Sequence, residues 1–220
     1  MRQVHDNLWI FDQPLRFFGV EIGTRMSVVR FGDDLLLHSP IAPTPELRRE
    51  MDALGQVKWV VGPNKFHHLY LKPWMDLGAH AWASPGLAQK RKDLQFEGLL
   101  DAHLPWPDEL EVKVLESLPF VNEAVFFHQP SKTLIVTDLL FNIPKTAPLL
   151  TRLALGLGGA YPGPSASNLE RLAMKRDVAR NEIRTLLDHA PETIVLAHGQ
   201  IIADDATAKL HKAYGWLGDF

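Results

Sequence analysis

Three short apolar runs, over 57–61, 133–137 and 193–197, give the chain its clearest pattern. They are rich in β-branched residues, and runs of this length and composition are typical of buried strands. Gly62-Pro63 ends the first run, because proline has no N–H to offer a sheet ladder. We therefore predict three buried strands. Their carboxyl ends matter most for function, since open α/β sheets bind ligands there.

Alternation, helical spacing and turn residues predict further elements around these strands. Thr44 caps a short amphipathic helix over 46–54, which completes a first β-α-β unit. Ser167 and Glu170 form a capping box, which predicts a helix running to about Asp188 and a second β-α-β unit. His128, at a turn, is expected to face solvent. The remaining predictions are strands over 8–11, 26–31, 35–37, 111–115 and 124–128, and a closing helix over 204–214.

The segment over 139–164 is apolar and rich in glycine and proline. Three interpretations stay open: a lid over a pocket, an oligomer contact, or a buried irregular connection. Base rates for globular chains favour the buried irregular connection. The sequence therefore allows a homo-oligomer without requiring one.

The composition is that of a globular protein, and we expect one domain over residues 1–220. The hydrophobic fraction is 46% and the charged fraction 22%, so the chain can bury a sizeable core. The net charge of −3 leaves no basic footprint for nucleic acid or an anionic membrane. We therefore predict a small-molecule substrate or ligand as the partner, with no nucleic acid and no membrane.

The chain contains no cysteine, which excludes disulfides, thiolate metal sites and a cysteine nucleophile. Any metal must therefore be held by histidine, aspartate or glutamate. The first residues lack an apolar secretory core, so a cytoplasmic location is expected.

Side chains that can bind metal follow each of the three predicted buried strands. His67 and His68 follow the first strand, Asp138 the second, and His198 with Gly199 the third. Imidazole and carboxylate suit zinc and similar ions. Strand ends of this kind predict a shared site.

The order of these motifs resembles the metallo-β-lactamase superfamily. The segment over 123–141 is similar to that family's hairpin ending in a metal-bridging aspartate, here Asp138, and Leu196-Ala197-His198-Gly199 to its last ligand motif. The resemblance covers 8–202 and implies a four-layer αβ/βα sandwich, of the α/β (α+β) class. The site is then expected at one edge of the two sheets.

The family's His-x-His-x-Asp-His motif is degraded in this chain. Pro63 and Lys65 stand at its first two histidines, and Phe120 near the upstream histidine, so the first metal site is lost. The resemblance implies that a second site remains. Its ligands would be His67, His68, Asp138 and His198, holding one divalent ion: zinc first, manganese or iron as alternatives, or no ion at all. His38 also replaces an aspartate of the family, at an early turn.

Two classes of function follow from this pattern. The first is a metal-dependent hydrolase of unknown substrate, in which Lys65 and Asp138 are the catalytic candidates and Lys65 replaces the charge of the missing ion. The second is a non-catalytic protein that keeps the fold for ligand or partner binding. In a third arrangement, an ion pair between Lys65 and Asp138 replaces metal altogether.

Overall fold

The computed structural model describes residues 1–218 and contains two facing β-sheets. The larger sheet has seven strands, ordered β1-β2-β5-β6-β7-β8-β9, and β6 to β9 run parallel. A separate two-stranded hairpin, β3–β4, precedes β5. The strands from β1 to β9 are Arg2–His5, Leu8–Gln13, Arg16–Phe17, Val20–Glu21, Thr24–Phe31, Asp34–His38, Gln56–Gly62, His80–Ala83 and Gly98–Leu99.

The smaller sheet has four strands in the order β10-β11-β12-β13. Its first three strands are antiparallel, and β13 pairs parallel with β12. The carboxyl ends of β12 and β13 therefore lie side by side. The strands are Leu110–Val114, Ala124–His128, Thr133–Ile135 and Thr193–Val195.

In the part of the chain that the structure describes, seven α-helices cover the outer faces of the two sheets or connect their strands. The first three helices lie in the half of the chain that forms the larger sheet, and the last four follow β12. From α1 to α7 they are Pro45–Leu54, Leu71–Met75, Pro85–Lys90, Leu149–Leu157, Asn168–Ala173, Arg176–Asp188 and Ala206–Tyr214.

Three apolar clusters define four layers. The central cluster joins the inner faces of the sheets, with Ile10 and Val61 from the larger sheet and Phe126 and Ile135 from the smaller one. A second cluster packs α1, α2 and α3 on the outside of the larger sheet. The third packs α6 and α7 on the outside of the smaller sheet. The order helix, sheet, sheet, helix confirms the predicted αβ/βα sandwich.

Two predicted connections differ from the structure. The helix expected from Ser167 to Asp188 is two helices, because Met174 takes an extended conformation and Lys175 N–H donates to the Ser117 carbonyl. The segment over 139–164 is not wholly irregular, since it contains α4.

Within residues 1–218, no helix is both long enough and apolar enough to cross a bilayer.

Candidate metal centre

Three side chains from three strand ends meet at one edge of the two sheets. His67 follows β7 of the larger sheet, whereas Asp138 and His198 follow β12 and β13 of the smaller sheet. Their ligand atoms all lie within 4.8 Å of one another. The parallel pairing of β12 with β13 accounts for the proximity of Asp138 to His198.

Both imidazoles face the same carboxylate oxygen. Asp138 Oδ1 is 3.5 Å from Nε2 of His67 and 3.3 Å from Nε2 of His198. Two ligand atoms about 2.0–2.1 Å from a shared tetrahedral ion are separated by about 3.3–3.4 Å. The observed spacing therefore matches two edges of a tetrahedral coordination sphere.

The tautomer of His198 shows why a cation fits here. Its Nδ1 is 2.8 Å from the Gly23 carbonyl, which can only accept, so Nδ1 carries a proton. In the neutral ring, Nε2 then presents a lone pair to the carboxylate. Two lone pairs that face each other repel unless a proton or a metal ion lies between them. The orientation through Nδ1 is typical of histidines that bind metal.

The loop carrying His198 is held against the larger sheet by hydrogen bonds from Arg25. Arg25 on β5 is buried, and its guanidinium donates to the carbonyls of Leu196 over 2.6 Å and Gly199 over 2.8 Å. Gly199 has φ +102°, and a Cβ there would lie 2.1 Å from the Asn142 carbonyl oxygen. Only glycine fits this position, which explains the His-Gly pair in the sequence.

His67 is oriented by two neighbouring polar side chains. Its Nδ1 lies 2.7 Å from the Ser39 hydroxyl, just after β6. The backbone N–H of His67 donates to Asn64 Oδ1 over 2.9 Å. Ring and backbone are thus both held, leaving Nε2 directed at Asp138.

Asn64 joins the two halves of the site. It is fully buried, and its amide Nδ2 donates to Asp138 Oδ2 over 2.7 Å and to the Thr137 hydroxyl over 2.9 Å. The bond from Asn64 occupies Oδ2 of Asp138, and Oδ1 is left facing the imidazoles. Burial alone would raise the pKa of Asp138. When the imidazoles are protonated, the charge of His67 and the hydrogen bonds that both rings then donate outweigh burial, and the pKa of Asp138 lies below its ordinary value.

Glu123 fixes the backbone beneath Asp138. Its buried carboxylate accepts from the backbone N–H groups of Thr137 over 2.6 Å, Asp138 over 2.9 Å and Leu139 over 2.9 Å. Burial, followed by the charge of Asp138, raises the pKa of Glu123 to about 7, while the N–H donors oppose the rise. The turn that presents Asp138 is therefore held by the side chain of the residue directly before β11.

His38 lies at the end of β6, next to Ser39, and is 1% exposed. Its ring meets Phe126 edge-on at 4.8 Å. Burial, and then the charge of His67, lowers the pKa of His38 to about 3. The position that holds aspartate in the family thus holds a neutral, buried ring in this chain.

His68, the fourth predicted ligand, does not join this cluster. Its Nδ1 lies 2.8 Å from Nη1 of Arg91, which can only donate, so His68 accepts there. Burial and the charges of Lys90 and Arg91 lower the pKa of His68 to about 4. The structure thus brings together three of the four predicted ligands.

The three residues that replace the family's first-site ligands do not converge on Asp138. Lys65 donates its amine to the Pro119 carbonyl over 2.8 Å rather than to Asp138, unlike the third arrangement that the sequence left open. Phe120 is 55% exposed and contacts Phe66 at a ring distance of 5.5 Å. The Pro63 carbonyl accepts from Ala124 N–H. Asn64, one position before Lys65, is the residue that reaches Asp138.

Sequence reasoning missed Asn64 and Glu123. Asn64 follows Gly62-Pro63 directly and stands two residues before Phe66, a spacing that suits an Asx turn and was an available signal. Glu123 had no such signal, because it lies fourteen residues before Thr137 and meets it only across the turn between β11 and β12.

Comparison with known proteins defines the class as the metallo-β-lactamase fold. A metallo-β-lactamase from Pontibacter korlensis superposes with a TM-score of 0.68 at 14% identity, covering 99% of this chain and 98% of that one. The DIM-1 metallo-β-lactamase, in a crystal exposed to ceftazidime, gives 0.70 at 13% identity, with coverage of 98% and 95%. The mono-zinc form of the FIM-1 enzyme from Pseudomonas aeruginosa gives 0.65 at 9% identity, with coverage of 98% and 94%.

Within that fold, this chain belongs to the family described as Domain of unknown function (DUF4336), whose model matches residues 5–184. No curated protein matches the chain. Similarity to the solved structures is low in sequence and establishes the fold alone.

Proposed function

We propose that this protein is a metal-dependent hydrolase that holds one divalent ion on His67, Asp138 and His198. The observation that carries the proposal is the convergence of two imidazole Nε2 atoms on one carboxylate oxygen, at 3.5 and 3.3 Å. Zinc is the expected ion. A set of two histidines and one carboxylate also suits iron(II), and manganese is a further alternative.

Three protein ligands are the number that catalytic zinc sites use, since they leave a coordination position open. Four would describe a closed structural site. The bond between His68 and Arg91 directs Nδ1 of that histidine elsewhere, which supports the three-ligand arrangement.

The chain's own residues hold these ligands in place. Asn64 and Glu123 fix the carboxylate and the turn beneath it, and the Gly23 carbonyl fixes the tautomer of His198. When bound, the ion supplies Lewis-acid polarisation and makes a nucleophile available from water at neutral pH. Asp138 is the catalytic residue of this proposal, because it is the ligand that faces both of the other two. Lys65 is not part of it.

The reaction class is hydrolysis of a small-molecule ester, amide or phosphoester. The solved structures with this fold are named metallo-β-lactamases, so a β-lactam amide belongs in the first substrate panel. Lactones, thioesters and phosphodiesters complete that panel.

The test is a hydrolysis screen of metal-free protein reloaded with zinc, manganese or iron(II). Asp138→Asn is the test variant, and Asp108→Asn, at an exposed position, is the matched control. We expect turnover of at least one substrate that requires metal, survives Asp108→Asn and is lost in Asp138→Asn. Turnover that persists in Asp138→Asn would contradict the proposal. A metal-loaded protein that hydrolyses nothing in the panel would favour the non-catalytic alternative.

A further inference from the structure

One side of the molecule carries a concentration of exposed apolar side chains, which we name the leucine platform. It is formed by the β3–β4 hairpin, α4 and α5. Phe18 is 92% exposed, Leu157 86% and Leu172 87%. The platform residues are Phe17, Phe18, Leu149, Leu150, Leu153, Leu157, Leu169 and Leu172.

Helix α4 has its apolar face turned outward. Leu149, Leu153 and Leu157 follow one another at four-residue spacing and therefore share one face of the helix. All three are at least 60% exposed, whereas Thr151 is 2% exposed and donates its hydroxyl to the Glu21 carbonyl over 2.9 Å. A surface helix ordinarily buries its apolar stripe. The outward leucines of α4 are therefore available to an external surface.

The three elements adjoin one another. The bond from Thr151 to Glu21 fastens α4 to the hairpin. At the other end of α4, the backbone N–H of Asn168 donates to the Gly158 carbonyl over 2.7 Å, and its side chain donates to the Leu157 carbonyl over 3.1 Å. Exposed apolar side chains gathered on adjoining elements are typical of interaction sites.

The chain that carries α4 and α5 is strongly cationic, although the whole protein has a net charge of −3. Between 139 and 176 its one carboxylate is Glu170, which is 3% exposed. The flanking Asp177 forms an ion pair with Arg180, so it does not offset the charge of the stretch. On the hairpin, the opposite charges of Arg16 and Glu21 lie across from each other and balance. The exposed cations of this stretch are Lys145, Lys175 and Arg176, whereas Arg152 and Arg171 are half-buried.

We propose that the leucine platform docks this protein on the surface of an anionic phospholipid bilayer. The leucines and phenylalanines would enter the headgroup boundary, and the cations around them would meet lipid phosphates. A second copy is the poorer occupant, because a two-fold interface brings the same patch of each copy together and so opposes like charges. The prediction of no membrane partner used the net charge of the whole chain. That net charge averages over the molecule and does not show a local group of cations.

The test is flotation of the full chain with vesicles of phosphatidylcholine alone or mixed with phosphatidylglycerol. Leu153→Asp is the test variant. Leu77→Asp, at an exposed leucine outside the platform, is the matched control. We expect binding to the anionic vesicles, with a partition coefficient reduced at least about tenfold by Leu153→Asp and unchanged by Leu77→Asp. Raised salt should weaken binding, because it screens the cations.

A second variant separates docking from misfolding. Lys145→Gln with Lys175→Gln alters exposed cations only, so it should keep the wild-type melting temperature and still lower binding to anionic vesicles. No binding by the wild type, or equal binding to both vesicle types, would overturn the proposal. So would a stable dimer in sedimentation that Leu153→Asp dissociates. None of these results depends on the metal or on hydrolysis.

Discussion

The side-chain amide of Asn64 donates to Asp138 Oδ2 over 2.7 Å, and this bond links the loop after β7 to the loop after β12. The opposite end of the same amide accepts from the backbone N–H groups of Phe66 and His67, which fixes its orientation. One buried asparagine therefore sets the position of His67 and the rotation of Asp138 together. The loops that carry His67 and Asp138, one from each sheet, are joined by this side chain.

Replacing Asn64 with alanine should weaken metal binding while leaving all three ligands in place. Outer-shell partners of ligands typically contribute 10–100-fold to metal affinity, and we expect a loss of about that size. Competition against a chromophoric chelator measures it. Asn181→Ala, at an exposed helical position, is the control. Wild-type affinity in Asn64→Ala would show that the amide does not position Asp138.

Lys65→Met tests whether the lysine belongs to the site. Because its amine contacts the Pro119 carbonyl rather than Asp138, we expect unchanged metal affinity and a small fall in melting temperature. The same chelator competition, run beside a thermal melt, gives both values. Loss of metal binding in this variant would restore the interpretation that Lys65 supports the ion.

The cap of α5 gives a prediction about stability alone. Ser167 accepts from Glu170 N–H over 3.2 Å, and Glu170 accepts from Ser167 N–H over 2.6 Å, so the predicted capping box is present. Ser167→Ala should lower the free energy of unfolding by about 0.5–2 kcal/mol. Chemical denaturation measures the change, and metal affinity serves as the internal control. A variant as stable as the wild type would show that the cap contributes nothing.

Burial of His128 should lower the free energy of unfolding in acid. Burial, and then the charge of His5, lowers the pKa of His128 from 6.5 to about 4. Between those pH values the unfolded chain binds a proton that the folded chain does not, so stability falls as pH falls through this range. Buried His38 and half-buried His68, whose pKa values are lowered to about 3 and about 4, act in the same direction.

Denaturation midpoints of metal-free protein at pH 7 and pH 4.5 measure this effect. His128→Gln should reduce the difference between the two midpoints, whereas His103→Gln, at an exposed position, should leave it unchanged. An equal pH dependence in all three proteins would show that the pKa of His128 does not differ between the folded and the unfolded chain.

The architecture was predictable because its signals are local. Strand composition, the Thr44 and Ser167 caps and the His198-Gly199 pair each occupy a few adjacent residues, and the caps and strands lie where they were predicted. The break at Met174 was not predictable, since it depends on a hydrogen bond between Lys175 and the distant Ser117. His128, expected in solvent, is 1% exposed because the small sheet and Ser131 enclose it.

The site was predictable in position more than in composition. Residue types at strand ends identified His67, Asp138 and His198, which the structure brings together. Adjacent side chains after a strand point in different directions, so only one of His67 and His68 can face Asp138. Residue type alone does not show which one. Which of the two faces Asp138 depends on Ser39 and Arg91, and both lie more than twenty residues away.

Zinc stoichiometry and affinity, measured by titration of metal-free protein, test the three-ligand site most directly. The wild type and His68→Gln should each bind one ion per chain with similar affinity, while His198→Gln and Asp138→Asn should lose that binding. This contrast follows from the two Nε2 atoms that face Asp138 and from the bond of His68 to Arg91. A wild type that binds no ion, or a His68→Gln variant as impaired as His198→Gln, would contradict the account.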